Sequence, residues 1–197
     1  MKTDRVECQN QAGAPRRGRE VKLRGFREDD LATLADWWLH DDVRPMQSDW
    51  PVPRPPATMM EVFRGWGSND PKDDSCALAV DAGGSLAGYV AVLGLRWPSR
   101  TGELAVMLGP EHQGQGLGSL VMTELLNVAF AGLDLHRVEV HVFSFNSRAI
   151  RLYSSLGFVE EGRLRERVFH RGRRYDEIVM GMLRAEWDTR GARAYSE

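Results

Sequence analysis

The sequence predicts an α+β fold, a central mixed but mostly antiparallel sheet of about seven strands flanked by helices. Three observations carry this. Apolar segments at 76–80, 86–97 and 102–108 follow one another across short Asp-Ala-Gly-Gly and Pro-Ser-Arg-Thr-Gly connections, as in an antiparallel meander. Segments 117–130 and 146–156 carry helical periodicity and flank a short strand at 138–143. Residues 158–171 and 175–184 read as two long strands joined through Arg171-Gly172-Arg173-Arg174.

Upstream of the meander, 21–26 alternates as a first strand. Asp29 or Asp30 is placed to cap a helix that carries Leu31, Leu34, Trp37 and Trp38 on one face. Five prolines within 45–56 predict an irregular loop, and a second helix follows at 58–66. In the helix over 117–130, Leu117, Leu120, Val121, Leu125 and Val128 form the apolar stripe. Gly157 stands where the helix over 146–156 ends.

At 197 residues, with 42% hydrophobic and 27% charged, the chain is sized for one domain with its own core. The expected division is a mobile segment at 1–19, the domain at 20–188 and a tail at 189–197. The longest uncharged apolar run, 85–95, is 11 residues and too short to cross a bilayer, and no apolar leader segment opens the chain. Two cysteines, Cys8 and Cys76, supply neither a disulfide framework nor a metal cluster and suit a reducing compartment. A cytoplasmic protein without membrane association is expected. The net charge of −2 argues against a nucleic-acid binder. The charge is uneven, however: residues 28–74 carry a local −7 and residues 163–174 a local +5. Each patch is either solvated surface or a means of steering a charged ligand.

The most informative stretch is Gln113-Gly114-Gln115-Gly116-Leu117-Gly118-Ser119 between a strand and a helix. Alternate glycines let the backbone curl and aim several N–H groups inward where a helix dipole begins, which suits a phosphate-bearing ligand. The spacing does not fit the dinucleotide fingerprint, because Ser119 stands where its third glycine belongs. Nor is it a P-loop, since no lysine follows Lys72. The pattern Q-x-x-G-x-G over 113–118 resembles the GNAT superfamily of acetyl-CoA-dependent N-acetyltransferases. Asn146-Ser147-Arg148-Ala149 through Tyr153 to Gly157-Phe158 is similar to that family's second signature. The closing stretch from Gly162 to Trp187 looks like its branch acetylating ribosomal-protein N-termini or spermidine.

The resemblance implies a GNAT fold and direct acetyl transfer from acetyl-CoA to a primary amine, either a small molecule such as a polyamine or a protein N-terminus. It implies that Gln113, Gly114, Gln115, Gly116, Leu117, Gly118 and Ser119 cradle the pyrophosphate of coenzyme A. Val106, Met107 and Leu108 would pair by backbone with its pantetheine arm, and Asn146 would touch it while capping its own helix. Such chemistry needs a deprotonated amine, donors for an oxyanion and stabilisation of the leaving thiolate. Tyr153, two helical turns after Asn146 and on the same face, is the candidate acid. Glu103 and His141 are candidate bases, with Glu139 sharing the face of His141; a water chain is the alternative. Arg148 and Arg151 face either the cofactor's 3′-phosphate or solvent. No metal is implied, and a homodimer is expected on family grounds. The competing function is a GNAT-fold module that binds acyl-CoA without turnover; the presence of Asn146, Tyr153 and the glycines argues for the enzyme.

Overall fold

The computed structural model describes residues 20–41, 43–47, 54–70 and 72–194. The expected mobile segment at 1–19 and residues 48–53 of the proline-rich loop lie outside the described residues. Strand β1 (Val21–Arg24) leads to helices α1 (Glu28–Leu39), α2 (Arg44–Gln47) and α3 (Pro56–Trp66). Then come β2 (Cys76–Ala82), β3 (Ser85–Arg96), β4 (Thr101–Leu108), α4 (Leu117–Asn127), β5 (Arg137–Phe143), α5 (Ser147–Leu156), β6 (Val159–His170), β7 (Arg173–Leu183) and α6 (Arg184–Ala194).

The seven strands form one sheet in the order β1-β2-β3-β4-β5-β7-β6. Every neighbouring pair is antiparallel except β4 and β5, which run parallel. Strand alternation buries both faces of the sheet's first half. Val90, Val92 and Leu104 meet Val121, Leu125 and Leu126 of α4 on one side. Tyr89, Ala91 and Met107 meet Leu31, Leu34 and Trp37 of α1 and Met59 and Phe63 of α3 on the other. That double coverage explains why 85–95 is apolar without a break.

Several boundaries differ from the sequence expectation, each for a visible reason. β1 stops at Arg24, and Phe26 instead packs edge-on against Phe63 at 6.3 Å. Neither Asp29 nor Asp30 caps α1: Arg27 holds that position, and Asp30, at the third helical residue, accepts its backbone N–H at 2.7 Å. Asp30 also accepts two bonds from Arg24, at 2.6 and 3.0 Å, and so ties α1 to β1. Burial opposes its ionisation, but these hydrogen bonds and the Arg24 charge outweigh burial and hold the carboxyl below its ordinary range.

The proline-rich stretch is not wholly irregular: Arg44–Gln47 is a helical turn, and α3 starts at Pro56, proline being well suited to a first helical position. Leu120 leaves the apolar stripe and is 38% exposed, while Met122 and Leu126 take buried places on α4. The helix widens at its end, where Leu133 N–H reaches back five residues to Val128 O at 2.8 Å. The segment expected as a tail from 189 belongs in part to α6, which runs Arg184–Ala194 and stacks Trp187 on Phe130.

Gly88 fixes how closely β3 and β4 approach at the end of their ladder, opposite Leu108. A Cβ there would stand 2.1 Å from the Met107 carbonyl oxygen, which is backbone and has no rotamer to change. Gly88→Ala should therefore cost about 1–3 kcal/mol. In a chain of this size that lowers the melting temperature by several degrees, roughly 2–4 °C per kcal/mol. A thermal melt unchanged from wild type would contradict this packing.

Candidate active site

The parallel ladder between β4 and β5 is short. It pairs Thr101, Gly102 and Glu103 with Arg137, Val138 and Glu139, and no further pairs follow. Beyond it the strands bound a cleft of about 590 Å³, closed by the glycine turn, by α5, and by Val43 and Met46. Gly109 N–H bonds to Ala87 O at 3.0 Å, which sets the alternation along β4. By that alternation the backbone of Met107 faces β3, while that of Val106 and Leu108 faces the cleft. Of the three residues expected to offer backbone to a ligand, Val106 and Leu108 are oriented for it. Met107 lines the cleft, but its side chain is buried in the core under α1.

The turn after β4 is held open by its own side chains. Gln113 donates to Leu108 O at 3.0 Å, and Gln115 to Glu111 O at 2.6 Å. Gly114 and Gly116 have φ of 76° and 78°, a left-handed conformation that side-chain-bearing residues adopt at a cost. An added Cβ at either would meet nothing within 4 Å, so conformation and free space, not crowding, explain the glycines. The first amides of α4, from Leu117 onward, have no partner within their own helix and open beside Gly118 and Ser119 on the cleft wall. A phosphate ester fits this arrangement by charge and by room. The exposed Arg148 also lines the cleft and adds positive charge, whereas Arg151 does not line it.

Asn146 caps α5 by accepting the Ala149 N–H at 3.1 Å, and it lines the cleft. Tyr153 lies two turns along the same face, packed against Phe158 with ring centroids 5.7 Å apart. Burial alone pushes its phenol up to about 12. Among the described residues its hydroxyl has no hydrogen-bond partner, although the side chain lines the cleft.

Facing the opposite side of the sheet, His141 lines the cleft and gathers carboxylates. Its Nδ1 lies 3.3 Å from Glu177 Oε1 and its Nε2 lies 3.6 Å from Glu139 Oε1. Burial holds the Glu103 carboxyl above its ordinary range; His141 pulls it down, and the charges of Glu139 and Glu177 push it further up. Arg137 neutralises Glu139 and Glu161 at 2.7 Å each.

The structure thus brings Val106, Met107, Leu108, Gln113, Gly114, Gly116, Gly118, Ser119, His141, Asn146 and Tyr153 to one cleft. Gln115, Leu117 and Glu103 are not among its lining residues: Gln115 braces the turn, Leu117 is buried in the core, and Glu103 reaches the site through the charge of His141. Phe145 and Leu152 line the cleft without having been singled out, since an apolar residue beside a motif carries no distinguishing signal. Glu177 was missed because only the sheet register brings it to His141, 36 residues away.

A cleft at a strand edge, ending in a helix N-terminus, has the shape and polarity to suit an extended ligand with a phosphate tail. The chain belongs to the GNAT acetyltransferase family, whose domain profile matches residues 20–159. The family's chemistry is acetyl-CoA-dependent N-acetylation. A spermidine N(1)-acetyltransferase from Vibrio cholerae is 36% identical over 107 residues, which span 54% of this chain and 62% of that relative. The structure of the Vibrio cholerae spermidine N-acetyltransferase in complex with CoA and spermine superposes with a TM-score of 0.77 at 27% identity, covering 85% of this chain and 97% of that one. A dodecameric structure of the same Vibrio enzyme gives 0.72 at 27% identity, covering 86% and 97%. No described helix is long and apolar enough to cross a membrane, and no described group of residues is arranged to hold a metal.

Gly116→Ala tests the turn. The strain of a left-handed alanine is about 1–2 kcal/mol, and the reoriented amides should weaken acetyl-CoA binding at least tenfold, about 1.4 kcal/mol. Calorimetry showing wild-type affinity in the folded variant would contradict the assignment of the turn to the pyrophosphate.

Proposed function

We propose that this protein transfers the acetyl group of acetyl-CoA to a primary amine of a small polycation of the spermidine type, and that Tyr153 and His141 serve the reaction from opposite sides of the cleft. The observation that carries the acceptor reading is the gathering of Glu103, Glu139 and Glu177 around His141. The acidic run at 28–74 supports it less than its formal −7 suggests, because Asp30 is paired with Arg24 from outside the run. The basic run at 163–174 supports an acidic partner less than its formal +5 suggests, since Arg163 is bonded to Glu160 and Asp176 and Arg167 lies 3.8 Å from Glu177. The match to a spermidine acetyltransferase and the spermine-bound neighbour favour the same substrate class over a protein N-terminus. The dodecameric neighbour supports a homo-oligomer, the class to which the expected homodimer belongs.

Acetyl-CoA supplies the thioester. Gly114, Gly116, Gly118 and Ser119 hold its pyrophosphate, Arg148 adds charge outside them, and the β4 edge at Val106 and Leu108 aligns the chain that follows. His141 takes the proton that an ammonium must lose before its nitrogen can attack, with the carboxylates of Glu139 and Glu177 beside it supplying a negative field that draws the cation in. Tyr153 donates a hydrogen bond to the sulfur as negative charge develops on it. With the phenol at about 12 and a free thiol near 8.5, complete transfer from tyrosine to thiolate is uphill by about 5 kcal/mol. Hydrogen-bond donation therefore carries its effect, and water completes the protonation.

Tyr153→Phe removes the donor and breaks no hydrogen bond within the described protein. Turnover should fall about 10²–10³-fold, as for loss of one oxyanion-type donor. The melting temperature and acetyl-CoA affinity should stay near wild type. Turnover within about threefold of wild type, far below that loss, would remove Tyr153 from the reaction. Thiol release measured on an amine panel tests the acceptor. A polyamine should be preferred, and its kcat/KM should fall as ionic strength rises. A preferred anionic amine, or rates indifferent to salt, would overturn the cationic acceptor.

A further inference from the structure

Two residues beyond the last β4–β5 pair, the two nitrogens of His141 meet different carboxylates. The register sets His141 opposite Val179 and Glu177 opposite Phe143, so the contact with Glu177 is a diagonal one within a single face of the sheet. The two carboxylates are not equivalent. Glu177 is 16% exposed and Glu139 37%. Glu139 is neutralised by Arg137 at 2.7 Å, whereas the nearest charge on Glu177 is Arg167 at 3.8 Å. The drier and less neutralised carboxylate acts more strongly on the imidazole, and it is also the nearer. An ionised carboxylate only accepts hydrogen bonds, so the nitrogen facing Glu177 is the one that carries the proton.

We propose that Glu177 is a positioning residue: it accepts the Nδ1–H of His141 and thereby leaves the lone pair on Nε2, the nitrogen that takes the proton of the acceptor ammonium. This rests on the reading of His141 as the base. The charged groups around the ring are Glu139 and Arg137 on β5, Glu103 on β4, Glu177 on β7 and, behind Glu177, Arg167 on β6.

The proton inventory closes. The ammonium gives one proton to Nε2, the nitrogen–carbon bond forms, a second proton leaves the nitrogen to water, and the carbon–sulfur bond breaks. The thiolate takes a proton from water beside Tyr153, and the imidazolium, held by Glu177, returns its own to solvent. Glu177 itself is not among the residues lining the cleft, so it acts through the ring and not on the substrate.

Nitrogen-15 spectra of the full chain at alkaline pH, where imidazole is neutral, read the tautomer without any turnover. His141 should carry its proton on Nδ1 in the wild type and should lose that single tautomer in Glu177→Gln. A wild-type proton on Nε2 overturns the proposal. Kinetics supply the second arm. Glu177→Gln should lower kcat about tenfold or more, a loss that saturating acceptor does not restore. In a His141→Gln background the same substitution should change kcat less than about twofold, because its effect passes through the ring. Equal losses in both backgrounds overturn the positioning role. Full activity of His141→Gln overturns instead the base on which the proposal rests, and the spectra then report the tautomer independently.

Discussion

Strands β4 and β5 share three residue pairs, Thr101 to Glu103 against Arg137 to Glu139, and then part. A parallel ladder that continued would bond the two edges to each other and leave no room between them. Because it stops, the β4 backbone at Val106 and Leu108 faces a cleft, and α5 from beyond β5 brings Asn146 and Tyr153 to the same space. β4 is itself held in place from behind, by a ladder to β3 that runs without a break from Gly88–Leu108 to Leu93–Glu103, and by apolar residues on both of its faces. The edge that faces the cleft is thus a rigid one, as a site that aligns an extended ligand requires.

The cleft divides its electrostatics between its two ends. Toward α4 it offers amides of a helix N-terminus and the Arg148 guanidinium. Toward His141 it is backed by carboxylates gathered around the ring, of which Glu103 is pushed toward its neutral form by burial and by like charge. In the proposed reaction a donor with an anionic tail and an acceptor with a cationic body would be sorted to opposite ends by this field, so that the reacting atoms meet in the middle. Tyr153 stands there with a buried phenol that stays protonated across the working range of pH, since burial lifts it to about 12.

Much of this was legible in the sequence because the informative features are local. The meander shows in the spacing of apolar runs, the turn in its alternating glycines, and the α5 cap in Asn146 followed by a helical stripe. The features that stayed hidden depend on contacts across the fold. Leu120 fits the apolar period, yet the surface of α4 turns it outward. Asp30 looks like a cap and proves to be the third helical residue, bonded to Arg24 of β1. The difference between Met107 and its neighbours depends on strand parity, which is fixed only once Gly109 is known to bond to Ala87. Glu177 meets His141 through a register that joins β5 to the end of the chain, and no spacing in the sequence announces it.

The central claim is that the parting of β4 from β5 creates the acetyl-CoA site. Amide hydrogen exchange of the full chain, with and without acetyl-CoA, tests it most directly. The account requires new protection concentrated on 104–108 of β4 and on 114–119 of the turn, with the β2–β3 ladder unchanged. Unaltered exchange in both segments at saturating acetyl-CoA, with protection appearing elsewhere on the sheet, would contradict it.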